Sequence, residues 1–169
     1  MSEKIISKDM FKNYSKYCLP ILLFILILLV VLLISFNNLA TTVITTVTDA
    51  SIAQISQVRY DFVGVQLLNF TTFLLACVLP IVVALIMGTY EKSNKSKKEE
   101  ISIEHNELFS NRLVAGSLYI TLPFLANAFI YIMLVWTNYF GTMQSEVLIK
   151  LLMMTIFGIA LSLLTFMLM

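Results

Sequence analysis

Charge is scarce in this sequence, and histidine is scarcer still. Charged residues make up 12% of the chain, against roughly 25% in a soluble globular domain. So thin a charged surface does not hold a protein in water, which excludes an ordinary soluble domain. His105 is the only histidine, so a His-based metal cluster or a Ser-His-Asp triad lacks its parts. No Gly-rich loop ending in Gly-Lys-Ser or Gly-Lys-Thr is present, which excludes nucleotide binding by a phosphate loop. The carboxylates fall in connecting segments, Asp49 and Asp61 among them, and none lies deep in an apolar run. A proton or ion relay places ionisable groups at membrane depth, so an ion-coupled carrier is disfavoured. No catalytic residue, cofactor, metal or nucleic-acid partner is expected.

What the chain has instead is apolar text. Hydrophobic residues make up 59% of it, the mean hydropathy is +0.91, and the excess is gathered into long blocks. Four blocks stand out, at about 19–36, 65–88, 113–137 and 147–169. Each is close to the roughly 20 residues a helix needs to cross the hydrocarbon. Open strands would leave backbone donors unpaired in lipid, so helices are the expected form. The expected fold class is an all-α membrane protein with four transmembrane helices. An interfacial helix at 1–18, an outer loop at 37–64 and a cytoplasmic loop at 89–112 complete it.

Basic residues set the expected orientation. Lys4, Lys8, Lys12 and Lys16 precede the first block; Lys92, Lys95, Lys97, Lys98 and Arg112 lie between the second and third. On the other side only Arg59 appears, with Lys150 set aside as a side chain that snorkels. The positive-inside rule then places the N-terminus and the 89–112 loop in the cytoplasm, with Trp136, Tyr139 and Phe140 at the outer interface. The Lys-rich, Asn-rich composition leans toward a bacterial plasma membrane.

Around Pro20 the pattern changes. At 100° per residue, Ile6, Met10, Tyr14 and Tyr17 fall within about 80° of one another, with the lysines on another face. That is the pattern of a helix lying in the inner headgroup layer, and Pro20 would mark the bend into the first span. The basic stretch and apolar run are too long for a signal peptide, so the first block is expected to remain as a span. Cys18 and Cys77 lie at different depths and are expected to be free. Residues 37–62 place Ile44, Val47, Ser51, Ile55, Val58 and Phe62 at helical spacing, while the β-branched content also permits strand.

The middle connection begins as a solvated linker, EKSNKSKKEE, and turns into a short helix in which Leu108 and Phe109 share a side. Within the apolar blocks the polar groups are mild. Pro80 and Pro123 each free a carbonyl that a neighbour must answer. Asn127 suits an interhelical hydrogen bond of roughly 0.6–2 kcal/mol, with a place on a substrate path as its alternative.

The stretch EISIEHNELFSNRLVAG, followed by SLYITLPFLANAFI, resembles the membrane (permease) subunits of bacterial ATP-binding-cassette exporters of the second permease class. Their first cytoplasmic loop runs roughly S-L-P-I-x-R-x-x-L-F-x-x-R-x-L-A-G and enters a span like L-L-x-P-L-L-x-N-x-L. Leu108, Phe109, Arg112, Ala115, Gly116, Pro123, Leu125 and Asn127 fall on that pattern, and Ile103 fits its aliphatic position. The family's loop proline is Ser102 here and its arginine is His105. Such permeases usually have six spans, so the chain is similar to an N-terminal portion or a shortened member. The resemblance implies that Ile103, Glu104, Glu107, Leu108, Phe109 and Arg112 form a coupling helix that docks on a separate ATPase subunit. It also implies a second permease subunit or a homodimer. The alternative class is a non-transporting four-helix membrane protein that binds or regulates other membrane proteins.

Overall fold

The computed structural model describes residues 8–46, 51–95 and 105–169. Among them the chain is almost entirely helical, with no strand. The helices are α1 (Lys8–Thr45), α2 (Ile52–Arg59), α3 (Leu68–Lys95), α4 (His105–Trp136) and α5 (Gln144–Leu168). Between α2 and α3 the backbone stays helical but widens to a π-helical stretch, Tyr60–Leu67, so that α2, this stretch and α3 form one continuous rod. Four segments are long and apolar enough to cross a membrane: Leu23–Thr45, Ile52–Leu85, Gly116–Trp136 and Gly141–Leu168. The chain is a multi-pass membrane protein by that measure.

Helix claims most of the 37–64 segment that the sequence leaves as an outer loop, for local reasons. At the end of α1, Thr41 and Thr42 donate their hydroxyls to the carbonyls of Asn37 and Asn38, at 2.8 and 2.9 Å. Thr45 and Thr46 do the same three residues back. These bonds leave none of the four hydroxyls unpaired along the helix end. The next helix starts at a capping box: Ser51 accepts from the Gln54 amide, and the Gln54 side chain accepts from the Ser51 amide at 2.7 Å. Two otherwise orphaned donors are thereby satisfied.

Two expected breaks are absent. α1 runs through Pro20 without ending, so the helix expected before the first span and the span itself are one continuous helix. A proline removes one hydrogen bond, and the Leu- and Ile-rich turns that follow carry the helix on. Likewise residues 105–112, expected as a separate short helix, form the opening turns of α4. Gly116, at the start of the span, does not break the helix.

The second span is the centre of the bundle. Half of its apolar window is buried, against 11% for the first span. One core layer joins Leu75, Leu79, Val83 and Met87 of α3 to Ile120 and Phe124 of α4 and Phe166 of α5. The other joins Val63, Leu67 and Leu68 to Tyr131, Phe140, Val147 and Leu151. Gly158 lets α4 and α5 approach closely: a Cβ there would stand 2.4 Å from the Phe124 ring. The outward faces of α1 and α5 remain covered in Leu, Ile, Phe and Met, the surface a bilayer solvates.

Between α4 and α5 the chain reverses in a few residues. Asn138 takes φ 57° and Gly141 φ 54°, left-handed positions that Gly, and Asn among the other residues, adopt most readily. The Gln144 amide donates to the Asn138 side-chain oxygen across the turn. Phe140, expected at the outer interface with Trp136 and Tyr139, turns inward instead and is fully buried. It lies against Gly64, in one core layer with Val147, where an all-carbon ring has nothing to gain from water. Trp136 stays exposed.

Candidate functional site

The residues that the sequence marks out fall into two groups along α4. Ile103 and Glu104 lie outside the described residues. Glu107, Leu108, Phe109 and Arg112 are helical, in the opening turns of α4. Pro123 and Asn127 lie about three and four turns beyond Arg112 on the same helix and are buried. The two groups share one rod but occupy different ends of it.

Asn127 is part of a polar seam inside the bundle. Its Nδ2 donates to the Thr71 hydroxyl at 3.3 Å, and Thr71 in turn donates to the Leu68 carbonyl. One turn further along α4, on the same side, the Tyr131 hydroxyl donates to the Val63 carbonyl at 2.8 Å. Val63 belongs to the π-helical stretch, where the backbone ladder is widened. Tyr131 thus supplies a donor from outside. Both α4 side chains are almost fully buried, so the seam ties α4 to the second span rather than facing lipid.

A second tie comes from α5. The Ser162 hydroxyl lies 3.2 Å from the Leu75 carbonyl and 3.4 Å from the Ala76 carbonyl. Ala76 is four residues before Pro80, so its carbonyl is the one that Pro80, lacking an N–H, leaves without a helix partner. Ser162 therefore answers the vacancy that the proline creates.

At the end of the bundle where α4 turns into α5, a cluster holds α1, α2 and that turn together. The Arg59 guanidinium donates to the Tyr139 carbonyl at 3.3 Å and sits 4.7 Å from the centre of the Tyr139 ring. The Tyr139 hydroxyl donates to the Asn37 side-chain oxygen on α1. Lys150, set aside in the sequence as a snorkelling cation, lies 5.9 Å from the Tyr60 ring. Burial pushes the Tyr139 phenol above its ordinary value, and the Arg59 charge pulls it partly back.

Tyr131, Ser162 and the Arg59–Tyr139 pair carry these contacts and were not singled out in the sequence for that role. For Tyr131 a signal was present: it follows Asn127 by one turn, so any partner of one offers a neighbour to the other. Ser162 gives no such signal, because its partner is backbone on another helix. Cys77 is half-buried and free. Among the described residues no group of three or more His, Cys, Asp or Glu side chains is placed to hold a metal ion. No protein-family model, no curated protein and no solved structure matches this chain.

Proposed function

We propose that the chain is the permease subunit, or half, of an ATP-driven exporter of the ATP-binding-cassette type, coupling a separate ATPase to substrate movement across a bacterial plasma membrane. The observation that carries the reading is the continuity of α4. Glu107, Leu108, Phe109 and Arg112 stand on the same unbroken helix as Pro123, Asn127 and Tyr131. That helix is 32 residues long, about 48 Å at 1.5 Å per residue, against a hydrocarbon core of about 30 Å. A displacement imposed on its protruding end is delivered to the seam that ties it to the second span. Leu108 and Phe109 would anchor the ATPase, Ile103 would add apolar area, and Glu104, Glu107 and Arg112 would form a polar rim. Residues 1–18 would lie at the inner interface, with the 89–112 loop cytoplasmic.

The test is affinity purification from native membranes in mild detergent, comparing the parent with a Leu108→Asp, Phe109→Asp double variant. The parent is expected to bring down an ATPase with a phosphate loop, and the charged variant to lose it. Equal recovery from both removes the docking role. Recovery of no ATPase with the parent favours the other class, a four-helix membrane protein that binds or regulates its neighbours without transport.

A further inference from the structure

Eight residues of the second span, Tyr60–Leu67, depart from α-helical spacing. Such backbone is rare, mostly limited to a single turn, and frequent at functional sites. Three ties bracket it, all from α4 or the turn that follows α4. Just before it, Arg59 donates to the Tyr139 carbonyl at 3.3 Å. Inside it, the Val63 carbonyl accepts from the Tyr131 hydroxyl at 2.8 Å. Four residues beyond it, the Thr71 hydroxyl accepts from Asn127 at 3.3 Å. Gly64 stands at its middle, where a Cβ would lie 3.2 Å from the Phe140 and Val147 side chains.

The pivotal group is the Val63 carbonyl. A hydrogen-bond spacing of five would direct the Leu68 amide to it, yet that amide bonds to the Val65 carbonyl instead. In an α-helix the donor would be the Leu67 amide. Tyr131 thus engages the acceptor that the α form would give to Leu67. Val63 is wholly buried, so water is no substitute for the phenol. A carbonyl stripped of its donor inside a membrane is answered by local adjustment of helix spacing, and withdrawing Tyr131 favours the α form.

We propose that Tyr60–Leu67 is a register joint: the Tyr131 hydroxyl holds the π form, and its withdrawal closes the stretch to α-helix and turns α2 against α3. The π spacing holds one residue more per hydrogen-bonded turn than the α spacing. An α-helix advances about 100° per residue, so shedding the spare residue turns whatever lies beyond it by that amount. The flank that turns is α2, because it is only eight residues long. On the other side, α3 is fixed by a core layer and by the Ser162 hydroxyl. The device rests on the packing of α4 against the second span and is independent of ATPase docking.

The experiment uses the full chain with Cys18→Ser and Cys77→Ser, in lipid vesicles with an excess of unlabelled chain. Nitroxide pairs are attached through Gln57→Cys with Trp136→Cys, Gln57→Cys with Phe157→Cys, and Phe73→Cys with Phe157→Cys, all at exposed positions. Pulsed electron spin resonance reads the distances. In Tyr131→Phe, at least one distance from position 57 is expected to move by several ångström. The upper limit is about 8 Å, the chord swept on a helix roughly 10–12 Å across that turns about 100°. The 73–157 distance is expected to hold. Ser162→Ala removes a buried donor away from the joint and is expected to leave all three distances at the parent's values. Unchanged distances from position 57 in Tyr131→Phe overturn the proposal, and so does an equal shift at 73–157 or in Ser162→Ala. Deleting Val65 takes out the spare residue, so in that background Tyr131→Phe is expected to move nothing. A shift that persists there also overturns the joint, while ATPase co-purification reads the docking proposal separately.

Discussion

The hydroxyl of Tyr131 ends on the carbonyl oxygen of Val63, 2.8 Å away and 68 residues earlier in the chain. The pair joins the interior of α4 to the π-helical stretch of the second span, in a layer with Phe140, Val147 and Leu151. Water has no access to supply a substitute donor, since Tyr131 is 1% exposed and Val63 is not exposed at all.

Tyr131→Phe keeps the ring and removes the donor. The variant is expected to lose about 1 kcal/mol, between the average of about 0.6 for interhelical bonds in membranes and the larger cost of an unsatisfied buried group. Reversible unfolding in mixed micelles measures it. Stability equal to the parent's shows that the hydroxyl contributes nothing to holding α4.

Ser162 and Pro80 are predicted to be coupled. Ser162→Ala alone leaves the Ala76 carbonyl without a donor and should destabilise by about 1 kcal/mol. In a Pro80→Ala background the restored N–H reaches that carbonyl from within α3, so the same serine change should cost less. A double-mutant cycle is expected to return a coupling of about 0.5 kcal/mol or more. Strict additivity refutes the link.

Two glycines in helices are predicted to respond oppositely to alanine. A Cβ at Gly158 would meet the Phe124 ring at 2.4 Å and 2.9 Å, and Phe124 is itself held in the core. Gly158→Ala is therefore expected to cost about 1–3 kcal/mol through overpacking. At Gly88 nothing lies within 4 Å of the added carbon, so Gly88→Ala is expected to be neutral or stabilising by about 0.5–1 kcal/mol. Thermal unfolding of the two variants side by side decides it.

The Tyr139 phenol is predicted to titrate above the usual phenol range near 10, because burial disfavours the phenolate more than Arg59 favours it. Arg59→Gln removes the opposing charge and should raise the value further, read by ultraviolet difference titration against Tyr139→Phe. The folded state then holds its proton more tightly than the unfolded state. Its contribution to stability is fully present below about pH 10 and declines as pH rises through the folded-state value. A phenol that titrates at or below 10 contradicts the assignment.

Of the fold, the four spans were legible from the apolar blocks, since a run of roughly 20 such residues has few other uses. Their ends were not. Residues 37–62 permit helix or strand until the hydroxyls of Thr41, Thr42, Thr45 and Thr46 are seen bonded to α1's own carbonyls. Pro20 read as the start of a new helix, yet it sits inside a continuous one, whereas Pro123 lies within its span as read. Of the polar seam, Asn127 was visible as an amide in apolar text, but Thr71 could not be chosen over the other hydroxyls. Ser162 was unreadable, because the group it serves is a backbone carbonyl left bare by a proline on a different helix.

The sequence by itself determined that this chain lives in a bilayer and crosses it as helices. Transfer of apolar side chains from water and the need to pair every backbone donor are properties of composition and length alone. Tertiary structure decided which faces look inward: Phe140 into the core, Tyr131 onto Val63, Gln66 and Asn69 out toward lipid. In a span that is apolar all round, hydrophobicity no longer distinguishes one face from another. Close packing against glycine and the few hydrogen bonds across helices make that choice instead.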